Sequence, residues 1–357
     1  MKRTVHRETT GKRKLTSFLS RVAAFGLCLA LLAAACGCSE IKNIVGPIFG
    51  GDSSEESAES SRDMTGAVRV GSLKGPTTMG LVQMMSANEK GTSIQNYEFT
   101  MATQADEIAA KIVKGELDIA LIPANLAAVL YQKTNRGIVV VDINTLGVLY
   151  GVTAREGIES FEDLDGETVL MTGQGTTPEY AMRYLMDKYD VECELEFHSE
   201  ATEIAALLKQ DPEKIAVLPQ PFVTTAIKSN PDLASVFSLS KLWDEVSEDS
   251  RMVTGVTVVR SEFWVSHPAK VNDFLLDHTE SVSRAKRLNE ATSKLVVQYG
   301  ILGNEQVAAL AIPECNLVCI TGQEMKDTLS GYLETLYSFS PEAVGGELPS
   351  DSFYYVP

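Results

Sequence analysis

A segment of the chain occurs twice, and the two copies keep a constant spacing of 96 residues. Residues 105–123 read ADEIAAKIVKGELDIALIP, and residues 201–219 read ATEIAALLKQDPEKIAVLP, with no gap between the copies when they are aligned. In each copy the apolar residues have helical spacing, a helix-breaking residue follows, and a short apolar run then ends in proline. Such runs are typical of parallel strands buried on both faces. A register kept across helix and strand predicts a duplicated α/β structure.

The repeat extends towards the N-terminus of each copy. Apolar residues at 68–70 and 168–171 predict strands, and each strand runs into a glycine–threonine turn followed by a helical pattern. We therefore predict an α/β fold of two Rossmann-like lobes, each with a parallel sheet and right-handed crossovers. Apolar segments at 146–153 and 253–263 predict a two-strand hinge. The predicted boundaries are 67–149 plus 256–340 for lobe 1, 150–255 for lobe 2, and 341–357 for a C-terminal tail.

The two turns, GPTT at 75–78 and GTTP at 175–178, are candidate ligand-binding elements. The first N–H groups of a helix lack partners within the helix and carry partial positive charge. Thr77 and Thr177 are predicted N-caps, and Gly75 and Gly175 would let a ligand approach the backbone closely. In open α/β sheets such turns lie at the carboxyl ends of strands, where ligands bind. The two turns therefore predict a small anionic or polar ligand held between the lobes.

The candidate set for this site also includes residues after the two prolines that end the repeat. Asn125 would bind a ligand or cap the next helix, and Phe222 would stack on a flat ligand or belong to the core. Neither turn has the GK[ST] ending of a Walker loop. Neither turn has an arginine, which disfavours phosphate esters and dicarboxylates. The full candidate set is Gly75, Thr77, Thr78, Asn125, Gly175, Thr176, Thr177, Tyr180, Gln220 and Phe222.

The first 35 residues are typical of a signal peptide. Seven Lys and Arg residues precede or enter an apolar stretch at 22–35 that is too short to span a bilayer of ~30 Å. The stretch ends in LLAAACGCS, which resembles the lipobox of bacterial lipoproteins. The resemblance implies that Cys36 carries a diacylglyceryl group with palmitate-type chains, with Cys38 as a competing site. Serine, glycine and acidic residues at 36–66 predict a disordered linker after the lipid anchor.

Charge and cysteine content exclude several classes of function. The formal net charge is −17, and loss of the first 35 residues, which contain seven basic residues and one acidic residue, makes it −23. A surface this acidic argues against nucleic acid as a partner. Cys193, Cys315 and Cys319 form no zinc-type CxxC pair, so free thiols are predicted, and neither a metal site nor a cofactor is expected.

Three segments carry a specific resemblance: VRVGSLKGPTTMGLVQMM, FEDLDGETVLMTGQGTTPEYAMRYLM and IAVLPQPFVTTAI. Together with the lipobox and acidic linker, they resemble extracytoplasmic solute-binding proteins of ABC importers, in the nitrate, sulfonate, taurine and thiamine-precursor branch. The likeness covers roughly residues 67–340. It implies the type II periplasmic-binding-protein fold and a ligand such as a sulfonate, a nitrate-like anion or a thiamine precursor. It further implies a monomer on the extracytoplasmic face of the membrane, with an ABC permease as partner.

Two other functions stay open. Menaquinone-pathway enzymes share the two-lobed architecture, and an enzyme would need a positioned acid or base. His198 is the only plausible base, and its setting in ELEFHSE predicts a surface histidine. A lipoprotein that senses a ligand and signals to a partner would look the same in sequence. We predict no catalytic residues and a non-enzymatic binding protein.

Overall fold

The computed structural model describes residues 66–247 and 250–357, so the predicted signal peptide, Cys36 and nearly all of the linker lie outside the described residues. The strands are β1 Val68–Leu73, β2 Tyr97–Ala102, β3 Ile119–Pro123, β4 Ile138–Leu146, β5 Leu149–Thr153, β6 Thr168–Met171, β7 Glu194–Phe197, β8 Ile215–Pro219, β9 Ala234–Ser238, β10 Val253–Arg260 and β11 Leu317–Ile320. Among the helices of these two ranges, none is long and apolar enough to cross a membrane.

The helices follow the strands in the alternation that the repeat predicts. They are α1 Pro76–Met79, α2 Val82–Glu89, α3 Ala105–Val113, α4 Ala124–Lys133, α5 Thr177–Tyr189, α6 Ala201–Gln210, α7 Phe222–Ser229, α8 Leu239–Val246, α9 Ser261–Ser266, α10 Pro268–Arg287, α11 Asn289–Gln298, α12 Glu305–Ala311 and α13 Gly322–Phe339. Helices α3 and α6 begin 96 residues apart, and so do strands β3 and β8. The predicted α/β duplication is therefore confirmed at the level of its elements.

The strands form two sheets with the same internal order. One sheet has the order β11-β4-β10-β3-β1-β2, and the other has the order β7-β6-β8-β5-β9. Apart from the edge strand β11, both sheets have the same pattern. Three parallel strands from one half of the chain come first, followed by one strand from the other half and then a fourth strand from the first half. Strand β5 leaves the first half and enters the second sheet, and β10 makes the reverse crossing. These two exchanged strands connect the lobes.

The expectation of purely parallel sheets is wrong for the exchanged strands. Strands β1, β2 and β3 are parallel, as are β6, β7 and β8, because helical crossovers join them. Strand β10 is antiparallel to β3 and β4, and β5 is antiparallel to β8 and β9. Strand β5 follows β4 with no helix between them, whereas α8 precedes β10.

The C-terminal residues pack on the first lobe. Tyr354 forms a β-bridge with Val140 of β4, and Phe353 is fully buried in the core. The ring of Phe353 meets the Tyr131 ring edge-on, at a centroid distance of 5.0 Å. Residues 341–357 therefore belong structurally to the lobe that contains the six-stranded sheet.

Candidate functional site

A cavity of about 430 Å³ lies where the carboxyl ends of the parallel strands of both sheets meet. Leu73 and Pro123, which end β1 and β3, line it from the first lobe, and Pro219, which ends β8, lines it from the second. We call this cavity the cleft. It occupies the position at which open α/β sheets bind their ligands. Four of the predicted site residues line the cleft: Gly75, Thr77, Thr176 and Phe222.

The two predicted N-caps are wrong by one or two positions. Helix α1 is capped by Gly75, whose φ of 146° favours glycine, and helix α5 is capped by Thr176. Thr77 instead turns back on its own strand, because its hydroxyl donates to the Leu73 carbonyl at 2.8 Å and accepts from the Leu73 N–H. The turns do meet at the cleft, but the threonines that we predicted as caps have other partners.

A side-chain carboxylate of the protein already accepts a hydrogen bond from the second turn. The Glu179 carboxylate accepts a hydrogen bond from the Gly175 N–H at 2.7 Å, and its other oxygen accepts from Arg183 Nε at 2.7 Å. The partial positive charge at the start of α5 is thus compensated by a side chain of the same helix. A bare anion bound at this turn would lie close to a carboxylate.

Asn125 is fully buried and ties three segments together. Its Nδ2 donates to the Gly175 carbonyl at 3.3 Å and to the Ala343 carbonyl at 3.2 Å. Its Oδ1 accepts from the Thr177 hydroxyl at 3.3 Å. Asn125 and Thr177 therefore join the two lobes behind the cleft and are not among the residues that line it.

The remaining candidates also have partners within the protein. The Thr78 hydroxyl donates to the Leu73 carbonyl at 2.6 Å, and the Gln220 Oε1 accepts from the Thr224 hydroxyl at 2.8 Å. Burial, followed by the nearby Glu179 and Glu342 carboxylates, raises the pKa of the Tyr180 phenol. Thr78, Gly175, Tyr180 and Gln220 are absent from the described cleft lining.

Two further loops line the cleft and were missed by the sequence analysis. They are residues 103–106 after β2 and residues 197–202 around the end of β7. The 96-residue spacing relates Thr103 and Gln104 to Ser199 and Glu200, so the repeat itself carried the signal. The two loops meet across the cleft, where Gln104 Nε2 donates to the Ser199 carbonyl at 2.6 Å. This contact is a direct hydrogen bond between the lobes.

His198 was predicted to be a surface histidine, and the structure corrects this. The side chain lines the cleft and is only 13% exposed. Its Nε2 lies 3.0 Å from the Glu196 Oε1, and its Nδ1 lies 3.2 Å from the Glu203 Oε1. The backbone of His198 continues the pairing of β7, because its N–H donates to the Met171 carbonyl.

The hinge contributes an unsatisfied polar group. Thr254, on the exchanged strand β10, lines the cleft, and its hydroxyl is buried without a hydrogen-bond partner among the described residues. Buried hydroxyls are normally hydrogen-bonded. Together with Thr145, Val148 and Leu149, Thr254 forms the hinge side of the cleft.

Solved structures similar to the chain include a periplasmic binding protein and an ABC transporter protein. An ABC transporter protein from Parabacteroides distasonis matches with a TM-score of 0.68 and 23% identity, covering 81% of this chain and 98% of that one. The periplasmic aliphatic sulphonate binding protein from Escherichia coli matches with a TM-score of 0.62 and 13% identity, covering 80% and 90%. A Candida albicans protein described as having the generic periplasmic-binding-protein fold matches with a TM-score of 0.55 and 13% identity, covering 81% and 93%. The predicted periplasmic-binding-protein fold and the resemblance to ABC-transporter proteins are confirmed.

A protein-family model gives the decisive match in sequence. The model described as "Menaquinone biosynthesis" matches residues 75–337, which is more than half of the chain. The chain belongs to this menaquinone-biosynthesis family. No curated protein matches the chain significantly.

Family membership bears on how the cleft is interpreted. The match begins at Gly75 in the first turn and ends at Tyr337 in α13, so it includes the loops that line the cleft and both exchanged strands. The menaquinone-biosynthesis family and the solved structures share one scaffold, and the difference between binding and catalysis therefore depends on the side chains in the cleft.

Proposed function

We propose that the chain is the solute-binding protein of an ABC import system. It captures a small polar molecule in the cleft and delivers it to a membrane permease on the extracytoplasmic face, where the predicted lipid on Cys36 holds it. The observation that carries the proposal is the cleft between two lobes that are joined by exchanged strands and bridged by the Gln104–Ser199 hydrogen bond. Such an arrangement favours the closed form when a ligand contacts both lobes.

The charges around the cleft support a neutral or zwitterionic ligand. The lining includes Lys74, but it also includes the carboxylates of Asp106 and Glu200. The turn at the start of α5 is already compensated by Glu179. Hydroxyls, together with Phe197 and Phe222, suit a molecule with hydrogen-bonding groups on a flat apolar frame. A thiamine-precursor-like compound therefore suits the cleft better than a sulfonate or a nitrate-like anion.

The unpartnered hydroxyl of Thr254 gives the test of this proposal. We expect a hydroxymethylpyrimidine to raise the melting temperature of the purified protein more than taurine, nitrate or bicarbonate does. Thr254→Val should weaken binding by about tenfold, because it leaves a polar group of the ligand unsatisfied, and Thr254→Ser should retain the affinity.

Thr92→Val is the matched control, since Thr92 is exposed and does not line the cleft. The proposal of a cleft ligand fails if the best ligand binds Thr254→Val and Thr92→Val with equal affinity. If a sulfonate or nitrate binds best, the neutral ligand class is wrong.

An enzyme on the same scaffold is the second candidate, and family membership together with His198 favours it. The imidazole lines the cleft between two carboxylates, which is a setting for a general base. Incubating the protein with the molecule that copurifies with it separates the two functions. A non-catalytic binding protein leaves that molecule unchanged, whereas an enzyme converts it at a rate that His198→Asn abolishes.

A further inference from the structure

Three side chains with different ligand atoms converge outside the cleft. Asp142 lies on β4, His278 on α10 and Cys319 on β11. One ligand atom from each residue lies within 4.8 Å of the others, and none of the three residues lines the cleft. Asp142 and His278 are completely buried, whereas Cys319 is half-buried. We call this group the Asp–His–Cys cluster.

The carboxylate of the cluster is held in a fixed orientation. Its Oδ1 accepts a hydrogen bond from the Thr257 hydroxyl at 2.9 Å, and Thr257 accepts in turn from Asn144 Nδ2 at 3.2 Å. Its Oδ2 lies 3.2 Å from His278 Nδ1. Outer hydrogen bonds of this kind orient the ligands in metal sites. Asp142 therefore presents one oxygen, Oδ2, to the imidazole and the thiol.

The separation of the carboxylate and imidazole ligand atoms fits a tetrahedral ion. Two ligands that each lie about 2.0–2.1 Å from zinc are roughly 3.4 Å apart at the tetrahedral angle, and a sulfur at about 2.3 Å lies slightly farther away. The observed separation of 3.2 Å between Asp142 Oδ2 and His278 Nδ1 is close to that value. The Cys319 sulfur lies within 4.8 Å of the other two ligand atoms, so metal binding requires it to move closer to them.

We infer that the Asp–His–Cys cluster is a binding site for Zn²⁺. The three ligands are Asp142 Oδ2, His278 Nδ1 and the Cys319 thiolate. His278 would coordinate through Nδ1 as the neutral ring protonated at Nε2, with any Nδ1 proton and the Cys319 thiol proton released to solvent. The Asp142 carboxylate and the Cys319 thiolate then balance the charge of the ion. A set of carboxylate, imidazole and thiolate favours zinc over calcium or magnesium, which prefer all-oxygen sites.

We expect the fourth coordination position to open towards a surface groove of about 580 Å³. Cys319 lines this groove together with Thr279, whose hydroxyl donates to the Cys319 sulfur at 3.3 Å. Lys286 and Arg287 line the same groove. Their positive charges favour a water-derived hydroxide or another small anion as the fourth ligand. Catalytic zinc sites commonly have three protein ligands and a fourth position open to water or substrate.

Metal content and a cobalt spectrum of the purified full-length chain test the inference. After chelation, reloading with Zn²⁺ and dialysis, the wild type should retain about one more Zn²⁺ per chain than Cys319→Ser. Reloading with Co²⁺ should give a thiolate-to-cobalt charge-transfer band that Cys319→Ser abolishes. Thr257→Val should keep the band and weaken binding roughly 10- to 100-fold, because it removes the hydrogen bond that orients Asp142.

Cys193→Ser is the matched control, because Cys193 is a partly buried thiol in the other lobe and burial raises its pKa to about 11. It should retain both the zinc and the cobalt band. Equal zinc content and identical cobalt spectra in Cys319→Ser and the wild type would overturn the inference. In that case Asp142 and His278 form only a buried hydrogen-bonded pair.

Discussion

At the scale of single residues, Asp118 is a buried carboxylate that is paired with two arginines. Its carboxylate accepts from Arg69 Nη2 at 2.6 Å, from the Arg69 backbone N–H at 3.1 Å and from Arg260 Nη2 at 3.1 Å. Burial alone would raise the pKa of the Asp118 carboxyl, but the hydrogen bonds from Arg69 and Arg260 hold its pKa below the usual range. Arg69 thus ties β1 to Asp118, the residue just before β3.

This pKa shift predicts an acid-sensitive contribution to stability. Because the pKa is lower in the folded state than the ~3.9 of an unfolded chain, the contribution is complete at neutral pH. It is lost as the pH falls below about 4 and through the folded pKa. Asp118→Asn should lower the free energy of unfolding at pH 7 by about 2 kcal/mol and flatten its decline in acid. Urea denaturation at pH 7 and at pH 3–4 measures both effects.

Glu262→Gln is the control for this prediction, because Glu262 contacts the same Arg260 but is 91% exposed. An exposed pair of this kind contributes little to stability. Equal losses in Asp118→Asn and Glu262→Gln would show that Asp118 is not the group that matters.

The sequence predicted where the candidate site residues lie better than it predicted which partners each of them contacts. The sequence located both turns at the cleft, but it could not show that Thr77 bonds to its own strand or that Asn125 joins three segments. Those partners are set by how the lobes meet. The Asp–His–Cys cluster was missed for a related reason, since Asp142 and His278 are 136 residues apart in the sequence and have no motif spacing.

At the scale of elements, the repeat relates loops of the two lobes as well as their helices and strands. The constant spacing located α3, α6, β3 and β8 correctly, because the hydrophobic pattern within each copy is local. The same spacing also relates the loops after β2 and β7, which line the cleft from opposite lobes. The direction of β5 and β10 could not be predicted in this way, because it depends on which sheet each strand joins.

The hydrogen bond between these two loops gives a prediction about closure. Gln104→Ala removes the donor to the Ser199 carbonyl and should reduce the population of the closed form in the absence of ligand. The apparent dissociation constant of the cleft ligand then rises in proportion to that loss, by roughly 2- to 10-fold. Isothermal titration measures the affinity, and fluorescence transfer between labels on the two lobes measures closure.

Gln323→Ala is the control, since the Gln323 side chain bonds to Asp327 within α13 and does not line the cleft. Unchanged affinity and unchanged inter-lobe distance in Gln104→Ala would mean that this hydrogen bond does not stabilise the closed form.

At the scale of the whole molecule, one scaffold is shared by transport proteins and by the menaquinone-biosynthesis family to which the chain belongs. Both functions are predicted from the sequence, and the fold is compatible with each of them. The choice depends on whether the cleft residues only hold a molecule or also change it. Thr254 and the Gln104–Ser199 hydrogen bond favour binding without conversion. His198 is the one histidine among the described residues that line the cleft, and it is the candidate for catalysis.

The most direct test is native mass spectrometry of the purified protein with the small molecule that copurifies with it. We predict one molecule per chain, released with an unchanged mass after prolonged incubation and retained less well by Thr254→Val. Recovery of a chemically altered molecule, formed by the wild type and not by His198→Asn, would contradict the account of the protein as a non-catalytic binding protein.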